Sequence, residues 1–276
     1  MKKQYFSFAT FSFFLLIVLA FNNISCKKDK SDKDQLAAQN NSDAENVFSD
    51  VFKQVDIVAK DTTLGVSTGT LITDCATVTI SPIGSTYPKT ITIDYGTTNC
   101  EGTDNRFRRG KIIATTTGKY RDSLTTITVS FDNYYFMDNK VFGTKTIINK
   151  GHNNLGHLFY TVNVENAGVI TENGTITWSS TRTREWIAGE NTLYNYFDDV
   201  YSITGSGSGI TTDGNSFIVT ITKALRAELT CKWITSGTFE ITPQGLSTRI
   251  IDFGDGTCDR NATVMINSET YDFILK

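Results

Sequence analysis

The nonapeptide 251–259, Ile-Asp-Phe-Gly-Asp-Gly-Thr-Cys-Asp, sets three carboxylates, Asp252, Asp255 and Asp259, around two glycines and a cysteine. Carboxylates gathered by a turn are what calcium takes, since a hard cation accepts irregular cages of oxygen, and calcium-dependent adhesion is one function that follows. The loop of a helix-loop-helix calcium site does not fit: counted from Asp255, the position that requires glycine is Arg260. Asp252-Phe253-Gly254 also occurs in the metal-holding loop of protein kinases. Here its companions are missing, because neither His152 nor His157 opens a His-Arg-Asp loop and Gly205 to Gly209 has the wrong spacing for a phosphate loop. The structural use of the same residues is a bend built by Asp and Gly.

Other residues could carry chemistry. His152 and His157 are the only histidines, and as metal ligands they need a third group, for which Glu165 is the nearest acid following them. Asp198 with Asp199, and Glu185 with Glu190, could serve as the paired carboxylates of a glycan-active enzyme. Trp186, Tyr194, Tyr196, Phe197 and Tyr201 surround Asp198 and Asp199, and flat rings beside polar groups make a ligand platform for glycan or peptide. In the run 106–111, Arg-Phe-Arg-Arg-Gly-Lys, the charges are expected in a solvated turn leading into a strand.

Cysteine usage and charge narrow the setting. Of five cysteines, Cys26 follows an apolar leader, and the remaining four, Cys75, Cys100, Cys231 and Cys258, are an even set of the kind that forms disulfides in an exported protein. None lies within four residues of another, so paired zinc-ligand spacing is absent. Two of the 26 basic residues, Lys2 and Lys3, belong to the leader, leaving 24 against 29 acids, a balance of −5. That disfavours nucleic acid, which needs a basic face.

Lys2 and Lys3, the apolar run 5–21 and Ser25 directly before Cys26 follow the basic, apolar and small-residue order of a secretion signal over residues 1–25. Together with Ser-Cys-Lys-Lys-Asp at 25–29, the leader resembles those of exported lipoproteins of Bacteroidetes type. The resemblance implies lipidation of Cys26, a membrane contact through the lipid, and an outer-membrane location on the periplasmic side or at the cell surface. Residues 26–41 are polar and charged and read as a flexible tether.

Those candidate sites must be positioned by two kinds of element. Val47, Phe48, Val51, Phe52, Val55 and Val58 recur at spacings of three and four, which predicts an amphipathic helix over 42–60, capped by Ser42 or Asp43. From 65 to 276 the chain reads as strands joined by short turns. Asp138-Asn139, Asn173-Gly174 and Asp213-Gly214 are the candidate tight turns, and alternation is plain in Lys-Thr-Ile-Thr-Ile-Asp-Tyr at 89–95. Short hairpins imply an antiparallel meander and disfavour parallel nucleotide-binding architectures. Residues 75–101 and 231–259 both run cysteine, strand, loop, strand, Ile-Asp-aromatic-Gly, three residues, cysteine and acid. This predicts disulfides Cys75–Cys100 and Cys231–Cys258, and two related β units, around 65–150 and 200–276, in one sheet or two domains. Within the second copy, Asp255 and Gly256 have no counterpart in Thr97 and Thr98, so any role of the nonapeptide beyond folding is expected to depend on Asp255.

The fold expected is all-β, an antiparallel β-sandwich or strongly curved meander with one N-terminal amphipathic helix. The function expected is a lipid-anchored envelope protein, a structural or ligand-binding module acting on glycan or another envelope protein. No cofactor is expected apart from calcium, and catalysis ranks behind binding.

Overall fold

A computed structural model describes residues 32–62, 68–69, 76–192 and 195–275. Among the described residues one α-helix, α1 (Leu36–Thr62), precedes fifteen strands. The first are β1 (Thr68–Gly69), β2 (Thr77–Ser81), β3 (Lys89–Asp94), β4 (Cys100–Glu101) and β5 (Phe107–Thr116). Long strands follow: β6 (Thr126–Phe136), β7 (Asn139–His152), β8 (Leu158–Thr171), β9 (Gly174–Ala188), β10 (Val200–Ile210) and β11 (Ser216–Glu228). The last are β12 (Ile234–Pro243), β13 (Arg249–Asp255), β14 (Asn261–Ile266) and β15 (Glu269–Ile274).

All of them form one antiparallel sheet in which each strand pairs with the next in sequence, except that β3 pairs directly with β5 and β4 hangs on β5 alone. The strongly curved meander is therefore the form taken, and both stretches of internal similarity lie in the one sheet. Curvature follows from α1. Ala37, Ala38, Ala44, Val47, Phe48, Val51, Phe52, Val55, Val58 and Ala59 are all buried, and one apolar core joins them to residues of strands from β2 to β15. A helix covered on nearly every side by a single sheet requires that sheet to curl round it.

The helix differs from the expectation at its start. It begins at Leu36, whose N–H donates to Asp34 Oδ1 at 2.9 Å, so Asp34 caps it while Ser42 and Asp43 lie inside. Asn40 and Asn41 had the composition of a tether, yet both are buried. Asn41 Oδ1 accepts from Trp178 Nε1 at 3.0 Å and Asn40 Oδ1 from the Thr212 N–H at 2.9 Å. The sheet, not the local sequence, satisfies them.

Turn positions shift slightly. The β6–β7 hairpin turns at Met137 and Asp138, both at positive φ, one residue before Asp138-Asn139. Between β8 and β9 the two loop residues are Glu172 and Asn173, with Gly174 opening β9. Asp213-Gly214 does lie in the β10–β11 loop, and Asn267-Ser268, also at positive φ, closes β14–β15.

The repeated Ile-Asp-aromatic-Gly motif takes one local structure in both copies. Ile93 and Ile251 are fully buried, Tyr95 and Phe253 point inward beside them, and Gly96 and Gly254 stand at φ +77° and +87°. Asp94 and Asp252 each accept from the glycine N–H two residues on, at 2.8 Å. Glycine takes that positive φ without strain, so the acid and the glycine together bend the chain, ending β3 after Asp94 and making an irregularity within β13 before Asp255. Cys231 and Cys258 are bonded across the second copy, as expected. Cys100 is disulfide-bonded as well, and its expected partner Cys75 lies outside the described residues, as does Cys26.

Candidate functional site

The sites expected from sequence are dispersed by this fold. In the nonapeptide each acid is used by its own turn: Asp252 accepts from Gly254, Asp255 from the N–H and hydroxyl of Thr257, and Asp259 from Asn261. The Thr257 bonds hold the Asp255 carboxyl below its usual range. Asp252, Asp255 and Asp259 border one open hollow together with Asp272, but among the described residues no three His, Cys, Asp or Glu side chains gather closely enough to hold a metal.

The aromatic platform does not form either. Trp186 (2% exposed) and Tyr201 (0%) stack on each other in the core, with ring centres 5.6 Å apart. Both occupy inward positions of their strands. Tyr196 is half-buried, Phe197 is exposed at 63%, and Tyr194 lies outside the described residues. Asp198 and Asp199 part company: Asp198 is exposed and accepts from the Thr192 hydroxyl, whereas Asp199 is buried and accepts from Trp186 Nε1 at 3.1 Å. Adjacent residues on opposite sides of a backbone cannot aim both carboxylates at one glycosidic bond.

His152 and His157 meet acids the sequence did not pair with them. His152 Nε2 lies 2.7 Å from Glu190 Oε1, and His157 Nδ1 lies 2.6 Å from Glu185 Oε1. Glu165 is exposed on β8, opposite Thr144. The His157 contact, with Asn153, holds the Glu185 carboxyl low.

Chemistry concentrates instead where α1 meets the inside of the sheet. The arginine run 106–111 belongs largely to β5 rather than to a solvated turn, and Arg106 and Arg108 are buried. Arg108 donates to both oxygens of Asp50, at 2.6 and 3.0 Å, and to Asp104 at 2.7 and 3.0 Å. Arg106 reaches Asn46 at 2.8 Å and the Lys232 carbonyl at 3.0 Å, tying the start of β5 to the loop before β12. Burial works to raise the Asp104 carboxyl, but Arg108 and Arg106 hold it below the usual range. Further along the helix Gln54 accepts from the Tyr95 hydroxyl at 2.9 Å, and Asp56 accepts from the hydroxyls of Tyr120 and Tyr201.

Beside this network a cleft of about 50 Å³ opens along the helix face carrying Ser42, Asn46, Ser49 and Lys53. Its opposite wall is Leu229 to Ile234 with Phe239, Phe253 and Leu275. Its lining thus combines apolar side chains with the charged Glu45, Asp50, Lys53, Arg106 and Glu228, the composition of a binding site. Lys53 faces this cleft without an ion pair or hydrogen bond among the described residues, and burial lowers the pKa of its amine. Trp233, with the Lys232 amine 5.8 Å from its ring, has a buried indole N–H that meets no acceptor.

Arg106, Arg108 and Lys53 were not singled out as site residues because each looks like surface charge in an alternating or helical pattern. The one available signal was the occurrence of Asp50 and Asp56 inside an apolar helix, which demands cationic or hydroxyl partners. Compared with known proteins, the chain matches no family model, no curated protein and no solved structure.

Proposed function

We propose that the protein is a lipid-anchored component of the cell envelope, held at the outer membrane through Cys26, which binds a small carboxylate-bearing ligand in the cleft beside α1 and performs no chemistry on it. The observation that carries the ligand reading is the Lys53 amine, which lines the cleft with Phe239, Phe253 and Leu275 and has no direct ion pair or hydrogen bond among the described residues. Asp50 and Asp104 act on it only from a distance and are already bonded to Arg108, so burial outweighs them, and a carboxylate entering the cleft would give the amine a direct partner. The Trp233 N–H offers the same ligand a hydrogen bond. With about 50 Å³ available, the cleft suits a short acid or the acidic tip of a larger molecule rather than a whole lipid. The anchor rests on the leader and Cys26, and Cys26→Ala is expected to move the protein out of the membrane fraction.

The cleft is tested by titrating the full-length protein in detergent with carboxylates from acetate to hexanoate while following tryptophan emission. Trp178 and Trp186 are in the core, so Trp233 is the reporter, and Trp233→Phe assigns the signal. A saturable change that Lys53→Met abolishes is expected. Flat emission across the series, or an equal response in Lys53→Met, contradicts the reading.

A further inference from the structure

A second cavity, of about 30 Å³, lies on the neighbouring face of α1, between Glu45, Phe48, Ser49 and Phe52 and the inner faces of β7 to β10. Three cations line it, Lys145, Arg182 and Arg184, each no more than 4% exposed. One carboxylate answers them directly: Glu45 Oε2 accepts from Arg182 Nη2 at 2.7 Å. The other acids near these cations are already engaged, Asp50 by Arg108 and Asp56 by Tyr120 and Tyr201. Arg184 is clamped between rings, 3.8 Å from the centre of Phe52 and 4.3 Å from that of Tyr201, and it has no ion pair among the described residues.

Donors are left over. Arg182 Nε and Nη1, Arg184 Nε and the Ser180 hydroxyl are buried without a partner, and Lys145 Nζ has the Phe48 carbonyl at 2.6 Å as its hydrogen-bond acceptor. Buried polar groups are otherwise nearly always satisfied, so a cluster of orphaned donors on one cavity points to a missing acceptor. On the neighbouring strand Gly205, Gly207 and Gly209 take alternate positions of β10, and a Cβ on Gly207 would stand 2.9 Å from the Ser179 carbonyl oxygen and 3.5 Å from Arg182 Nη2, so the side of β9 that carries these donors is closely packed against a strand without side chains there.

From this geometry we infer that the cavity bounded by Lys145, Arg182, Arg184 and Ser180 binds a small monovalent anion of the size of chloride, which completes the packing of α1 against the sheet. Its volume exceeds what a single water requires and is too small for an organic acid with a chain. Water could fill the space but would leave the charge uncompensated. This site does not depend on the ligand proposed for the cleft, although the two cavities share Glu45, Ser49 and Arg184.

The test is thermal unfolding of the full-length protein at constant ionic strength, with chloride replaced stepwise by gluconate, which is too large to enter. A saturable rise in Tm with chloride is expected, about 3–6 °C once chloride reaches ten times its Kd. Lys145→Met, which retains the length of the side chain without its charge, should abolish most of that rise. Crystals grown in bromide should show the anion's anomalous signal between Lys145 and Arg182. Equal Tm in chloride and gluconate, an undiminished rise in Lys145→Met, or no bromide at that position overturns the inference. Ser180→Ala keeps every charge and serves as the milder variant: a weakened chloride response with a normal fold supports the site, and an unchanged response counts against it.

Discussion

Asp50 has no exposed side-chain surface and accepts from Arg108 with both oxygens, so its replacement removes a fully buried counter-ion. Asp50→Asn would leave a buried guanidinium short of its counter-ion and should cost about 3–5 kcal/mol in denaturant unfolding. Asp104→Asn, at the wetter end of the same arginine, should cost clearly less; equal losses would show that the pairing has been misassigned. Lys145 makes a different prediction. Burial, helped by Arg184, pushes its amine down to about 7. The unfolded chain then holds a proton on this lysine up to about pH 10.4 that the folded chain has released, so stability rises with pH from about 7 toward 10. The slope is at most about 1.4 kcal/mol per pH unit, best seen in gluconate, and Lys145→Met should flatten it. Above pH 10 the buried tyrosines, whose hydroxyls burial pushes upward, act in the opposite sense.

Hairpins and the helix differ in how much of their structure the local sequence announces. Ser268 sits at φ +69° in the second position of the β14–β15 turn, a conformation in which a side chain is strained. Ser268→Gly gives the preferred Asn-Gly pair and should stabilise by up to about 1 kcal/mol, read as a raised Tm; a lowered Tm would mean the turn is of another type. The Ile-Asp-aromatic-Gly bends were legible, because acid and glycine make them with bonds inside four residues. The stripe Val47 to Val58 was legible for the same reason, since spacing alone sets a helix face. What was hidden depends on distant partners. Asn40 and Asn41 read as tether until Thr212 and Trp178 bond them, and nothing in the local sequence shows that Arg182 and Arg184, on the inner face of β9, are buried. Arginine usually faces water, and only a buried carboxylate, ring or anion reverses that rule. The aromatic segment 186–201 misled in the converse way, since Trp186 and Tyr201 fill the core.

At the scale of the whole molecule, a meander of fifteen strands is held round one helix by contacts that alternate between apolar packing and buried ion pairs. Asn41 and Glu45 are bonded from β9, Asp50 from β5 and Asp56 from β10, so polar contacts to several strands fix the helix in one rotation and one register. The far end of the sheet is stapled separately. Cys231 and Cys258 are 27 residues apart, and opening that loop by Cys231→Ser with Cys258→Ser should cost about 3–4 kcal/mol. A double variant as stable as the parent would mean that β12 and β13 are secured by pairing alone. The cleft lies where these two halves of the architecture meet, with helix residues on one wall and the disulfide-bonded segment on the other. The most direct measurement is therefore backbone amide NMR of the protein titrated with hexanoate. The account predicts shift changes confined to residues 42–53 and 227–234 and to Arg106, Arg184, Phe239, Phe253 and Leu275 with their neighbours. Changes centred on the exposed Phe197 segment, or none anywhere, would contradict it.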